Sequence, residues 1–214
     1  VYVTFEGDNN VLLQLVGKRL LSDYAKQFKG KDAAALARIV VGQTAGKVFP
    51  GAALRQFGQT VTDLGSTARS VELGLRADDQ HELLSGRVEQ MIADIAGRLR
   101  PASKLAPSDA AALFNANQSE LIEAARAHGE LLQWEAFTDA VNAIEDEGTR
   151  RVLIWLRDLF GLSLVEKHLA WYLINGRLSM QRAAAVSAYI DRLSARLRPH
   201  AQDLVDAYGF APEH

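Results

Sequence analysis

The sequence predicts an all-α protein, a helical bundle preceded by a short extended segment at the N-terminus. Three observations carry this reading. Apolar residues recur at helical spacing along most of the chain, strand-like alternation is nearly absent, and the 214 residues include only five prolines. Packed-helix architectures of roughly six helices accommodate such a pattern.

The elements follow in order. Val1 to Phe5 is a β-type run that meets Glu6 and Gly7. Asp8 is a short acid directly before an apolar-periodic run and suits an N-cap, with Asn9 and Asn10 in the first turn. The first helix is expected from Val11 to Phe28. Its apolar set is wide, and only a stripe through Gln14, Lys18 and Ser22 is clearly polar. A helix apolar on nearly all sides needs neighbours on several of them. Gly30 suits the position just past its end, and Pro50-Gly51 signals a turn. Gly58 to Ala77 is weakly periodic and fixes no helix. Asp78, Asp79, His81 and Glu82 read as a helix start with acids in its first turn. Val88, Met91, Ile92, Ile95 and Leu99 form one stripe, ended by Pro101. Pro107-Ser108-Asp109 opens a long helix through Leu121 and Leu132, and Asp146-Glu147-Gly148 divides it from the next. Val152, Trp155, Leu156, Leu159 and Phe160 stripe that one. Asn175-Gly176 is a left-handed stop, Ser179 caps the last long helix, and Val186, Ile190, Leu193 and Leu197 line it. Pro199 interrupts it, because proline lacks the N–H an interior position needs.

Composition excludes several functions. With 24 basic and 26 acidic side chains and a net charge of −2, nucleic-acid binding has no electrostatic support. The absence of cysteine rules out disulfides and thiolate metal sites. No metal site is expected. No apolar run reaches membrane-spanning length and no signal peptide is visible, which reads as an intracellular protein with no membrane span. The chain begins with Val1 rather than Met, as expected of a fragment or processed product.

Glu6 is the residue that raises a chemical question. Gly7 lets the backbone turn sharply or approach a ligand closely. The helix that follows presents N–H groups and partial positive charge at its start. The dipole stabilises a carboxylate there, whereas burial against an apolar ligand beside Tyr2 and Phe5 destabilises it. A general base working at neutral pH needs the second influence to prevail, moving the pKa from about 4.3 toward 7. By spacing alone, an ordinary solvated acid at a helix start is the better reading of Glu6.

Resemblance to a family shifts that weighting. The segment "TFEGDNNVLLQ" is similar to one shared by flavin-dependent acyl-CoA oxidases, relatives of the acyl-CoA dehydrogenases. In that superfamily an aromatic-Glu-Gly sequence precedes the last helix of the dehydrogenase-like fold. The oxidases typically continue with Asp-Asn, as Asp8 and Asn9 do here, where dehydrogenases more often have Thr. Leu156 to Ser179 and Leu197 to His214 resemble the oxidase-type C-terminal helical domain, and Ala125 to Phe137 is a weaker echo of it. The stretch 56–106 matches only in being helical. The resemblance implies two segments: 1–30 as the last part of the dehydrogenase-like helical domain, and 31–214 as the oxidase-type domain.

It also implies chemistry. In the family, the glutamate removes the α-proton of a fatty acyl-CoA while the β-hydrogen leaves as hydride to the flavin, giving a trans-2-enoyl-CoA. The matching position is Glu6, whose backbone N–H would also hold the thioester oxygen and stabilise enolate-like charge. Gly7, Asp8 and Asn9 would lie near the cofactor, FAD. The partners implied are a fatty acyl-CoA, the N-terminal part of the same enzyme and a second copy in a homodimer. The family binds its flavin largely through regions absent from this chain, which has no Gly-rich phosphate loop, so the fragment alone is expected to be inactive. The ending "FAPEH" is not a Ser-Lys-Leu address, which favours a cytoplasmic enzyme.

Other polar and aromatic residues have ordinary explanations. His128 lacks a partner at metal spacing and reads as a helix-face residue. Trp155, Phe160, Trp171 and Tyr172 read as core or subunit contacts. Arg150 and Arg151 suit a solvated turn, and Ser163 and Ser179 have no nucleophile's partner in the sequence. A second function remains open beside the enzymatic one: a non-catalytic helical scaffold for subunit association, resting on the aromatic-rich stretch from Val152 to Tyr172.

Overall fold

The computed structural model describes residues 9–27 and 75–209, and all of their regular structure is helical. The helices are α1 (Asn10–Lys26), α2 (Ala77–Leu99), α3 (Pro107–Ala116), α4 (Gln118–Asn142), α5 (Glu147–Lys167), α6 (Leu169–Ile174), α7 (Met180–Leu197) and α8 (Ala201–Asp206). Short 3-10 turns at Arg100–Lys104 and Arg198–His200 follow α2 and α7. The all-α bundle expected from sequence is what these residues form. The extended segment Val1 to Phe5, the stop at Gly30, the turn at Pro50-Gly51 and most of the weakly periodic stretch from Gly58 lie outside the described residues.

Local chemistry sets most helix ends. Asp146 caps α5 by accepting a 2.7 Å hydrogen bond from the Thr149 N–H, and Ser179 caps α7 by accepting from the Arg182 N–H at 3.2 Å. After α6, Gly176 takes φ 61°. Its N–H bonds the Leu173 carbonyl and the Arg177 N–H reaches back to that of Tyr172, a Schellman closure. Pro101 and Pro199 each sit in the 3-10 turn directly after a long helix. Asp78 and Asp79 occupy the first turn of α2.

Two expectations need correction. The single long helix opened by Pro107 is two, because Asn117 leaves helical geometry at φ −104°. Its side-chain Nδ2 donates to the Leu113 carbonyl at 2.8 Å, the kind of local bond by which asparagine competes with helix continuation. The first helix starts at Asn10, with Asn9 at the cap position, a residue later than a cap at Asp8 implies.

The described residues fall into two compact units, 9–27 with 84–131 and 75–83 with 132–209, so α2 and α4 each contribute to both. In the first unit the core comes from Leu84, Val88, Ile92 and Ile95 of α2 and Leu121 and Ala124 of α4. Arg87 reaches Glu130 at 3.0 Å with both side chains largely buried, and Arg98 pairs with Glu120 nearer the surface.

In the second unit α5 and α7 pack against each other. Leu162, Val165, Val186, Leu193 and Tyr172 are fully enclosed, with Tyr189 nearly so. Each such side chain contributes about 1.5–3 kcal/mol by leaving water. Trp155 and Trp171 pack onto this core, and Trp171 meets Tyr172 edge-on at 5.3 Å. The α7 stripe is buried as expected apart from a half-buried Ile190. The α5 stripe is only half-buried throughout, while Arg157 and Asp158 between its members are buried.

Candidate functional site

Glu6, Gly7 and Asp8 lie outside the described residues; Asn9 is the member of the expected site that the structure places. It is exposed, with backbone φ −63° and ψ −6°, and its carbonyl accepts from the Leu13 N–H at 2.9 Å. Its side chain makes no capping bond, and the first turn of α1 holds no acid. The first N–H groups of a helix have no intrahelical acceptor, and the helix dipole adds partial positive charge. Asn9 therefore stands as a neutral carboxamide beside a turn of partial positive charge.

Three contacts fix α1 in the first unit. Arg126 Nη2 on α4 donates to Asn10 Oδ1 at 2.9 Å, and Arg126 Nε lies 3.4 Å from Glu123 Oε1 on the same helix. Two turns further along, Gly17 is the buried residue of α1. A Cβ there would lie 2.6 Å from Leu121 Cγ and 3.1 Å from the Leu121 carbonyl oxygen, so any larger residue requires Leu121 to shift. Lys18 then sits 5.6 Å from the centre of the Phe114 ring. As α1 advances from Asn10 to Lys18, its partners recede from Arg126 to Phe114, so the two segments run antiparallel.

Among the described residues, no contact covers the opposite face of α1. Val11 is 64 % exposed and Leu15 59 %, with Val16 also open. The wide apolar set thus meets a neighbour along one side only among the described residues.

A buried polar cluster in the second unit was not singled out from sequence. Gln80 is fully buried. Its Nε2 donates to the carbonyls of Leu75 at 2.8 Å and Asp158 at 3.4 Å, while its Oε1 accepts from Trp134 Nε1 at 3.0 Å. The amide therefore has partners for both donors and its acceptor. Arg157 lies over the Trp134 ring at 5.6 Å and pairs with Asp158 at 2.6 Å. Burial pushes the Asp158 carboxyl above the usual range, opposed by its bond to Arg157. Its groups pair with one another, which is a structural role. No periodicity signal finds it, since charged neighbours at 157 and 158 ordinarily mark a solvated face.

The remaining expectations are quickly placed. His128 is half-buried on α4, and no group of three or more potential metal ligands exists among the described residues. Ser163 Oγ bonds back to the Leu159 carbonyl at 2.8 Å. No helix among the described residues is long and apolar enough to cross a membrane. Trp155, Trp171 and Tyr172 serve the core of the second unit, and Phe160 meets the Phe137 ring at 6.5 Å.

Comparison with known proteins fits this picture. The family model for acyl-CoA oxidase matches residues 77–213. The chain is 27% identical over 218 residues to the peroxisomal acyl-coenzyme A oxidase 2 of Arabidopsis thaliana, covering 100% of this chain and 29% of that protein. It is 26% identical to an acyl-coenzyme A oxidase-like protein of Mus musculus, covering 97% of this chain and 31% of the relative. Among solved structures, Arabidopsis thaliana acyl-CoA oxidase 1 superposes with a TM-score of 0.70 at 26% identity, over 96% of this chain and 28% of its own. An acyl-CoA oxidase from tomato shares the fold at a TM-score of 0.71 and 23% identity, over 97% and 29% of the two chains. The cytoplasmic location expected from the last residues is not matched by the name of the Arabidopsis relative, which is peroxisomal. The chain spans under a third of the length of these relatives, and with its α2–α8 region matched by the family model, it belongs to the acyl-CoA oxidase family.

Proposed function

We propose that the chain is the C-terminal portion of a flavin-dependent acyl-CoA oxidase that converts acyl-CoA to trans-2-enoyl-CoA in fatty acid β-oxidation. The observation that carries this is the alignment of a relative over the whole chain, the Glu6 segment included, together with the family match downstream. Residues 1–30 then close the dehydrogenase-like helical domain and 31–214 form the oxidase-type domain.

Glu6 is the general base that takes the α-proton. Its backbone N–H donates to the thioester oxygen, stabilising the negative charge that develops there and acidifying the same proton. Gly7 allows the chain to pass close to substrate. Gly7, Asp8 and Asn9 belong to the cofactor-binding stretch, with Asn9 at the start of α1. A bound FAD supplies the hydride acceptor for the β-hydrogen. The isolated chain, lacking most of the polypeptide of its relatives, is inactive on this reading.

The test uses the full-length protein. It should be yellow and should release hydrogen peroxide on addition of a fatty acyl-CoA. Glu6→Gln should cut turnover about 10³-fold while flavin stays bound. Turnover retained in that variant removes the base assignment. The scaffold alternative rested on aromatics from Val152 to Tyr172, and these are largely spent on the core of the second unit. Association as a homodimer is checked by sedimentation of the full-length protein.

A further inference from the structure

We propose that Arg126 is a positioning residue for the reaction, acting through Asn10. The inference rests on the assignment of Glu6 as base and adds a residue that lies 120 positions away in sequence. Asn10 opens α1 and follows Glu6 by four residues. Its Oδ1 accepts from Arg126 Nη2 at 2.9 Å across 116 positions of sequence. Glu123 sits beside the same guanidinium, 3.4 Å from Nε, and favours the rotamer that reaches Asn10. The Arg126 bond ties the first turn of α1 to a second helix.

Gly17 completes the device. Its contact with Leu121 fixes α1 about 10 Å further along, at the 1.5 Å rise per residue of an α-helix. Two fixed points define both the position and the tilt of the helix, whereas one leaves its leading end able to swing. Loss of the Arg126 bond releases the end that adjoins Glu6. A base displaced by an ångström from its proton loses much of its effectiveness, although substrate binding elsewhere is unaffected.

The experiment compares Arg126→Ala, Asn10→Ala, the double variant and Arg126→Lys in the full-length flavoprotein. Each is read for kcat, KM, flavin occupancy, Tm and the isotope effect with α-deuterated acyl-CoA. Both alanine variants should lose about 10-fold in kcat with KM and flavin content near wild type. The double variant should be no slower than either single one, and Arg126→Lys should recover part of the loss. The isotope effect should rise as proton removal becomes more limiting, a change that simple loss of stability does not produce. Unchanged kcat in both single variants overturns the proposal, as does a loss that only tracks Tm or flavin content, or additive losses in the double variant. Glu6→Gln in parallel separates the two failures: if it is inactive while the Arg126 and Asn10 variants are normal, only the positioning role falls.

Discussion

Gly17 and Gly161 are both helical glycines with another helix pressed onto them, yet the two contacts differ in kind. At Gly17 the neighbour is Leu121, mostly a side chain, and the far side of α1 is open apolar surface. At Gly161 a Cβ would lie 2.1 Å from Gln80 Oε1 and 2.6 Å from Trp134 Nε1, inside a fully buried hydrogen-bonded cluster. An apolar contact can yield by a rotamer change or a small slide. A buried amide whose donors and acceptor are all engaged has nowhere to move without stranding a polar group. The second unit therefore closes on itself around fixed polar geometry, while α1 in the first is held along one side only among the described residues.

The largest expected effect follows at once. Gly161→Ala should cost about 4 kcal/mol, through overpacking combined with broken hydrogen bonds of Gln80 and Trp134. Gly17→Ala should cost about 1 kcal/mol, since Leu121 can partly give way. Thermal or denaturant unfolding of the two variants measures the gap, and equal costs would erase the distinction.

The next effect tests the ion pair beneath that cluster. Asp158→Ala strands a buried guanidinium and should destabilise the second unit by about 3 kcal/mol. The pH dependence has a definite sign. Asp158 is raised above 3.8 in the folded chain, so the folded state holds this proton more tightly than the unfolded one. Its ionisation consequently lowers stability as pH rises from 3.8 through the folded value, and the penalty is complete above that value. Asp146 runs the other way: hydrogen bonds from Thr149 lower its pKa, so its contribution is present above 3.8 and is lost as pH falls through the folded value. Unfolding followed against pH in Asp158→Asn and Asp146→Asn should remove these two opposite slopes.

The smallest effect is the sharpest on α1. Leu15→Glu should change the stability of the chain by no more than about 0.5 kcal/mol, because Leu15 is already in water. A loss of several kcal/mol would mean that this face is covered, and the contrast between the two units would be gone.

What the sequence settled by itself is local. The division at Asp146, the cap at Ser179, the left-handed stop at Gly176 and the proline-marked ends at Pro101 and Pro199 all depend on bonds spanning a few residues. The same residue chemistry therefore reads correctly without a fold. The break at Asn117 was missed because one asparagine inside a strong apolar pattern outweighs its neighbours only when its side chain finds the Leu113 carbonyl. At the expected site, Glu6 stood out by resemblance, and nothing local distinguished it from a solvated acid. The tertiary structure alone decided that Arg126 reaches Asn10, that Gln80 meets Asp158 across 78 residues, and that a charged pair on α5 is buried while the apolar stripe beside it is half-exposed. Those outcomes depend on which surfaces meet, and periodicity along one helix carries no information about the partner that arrives from elsewhere in the chain.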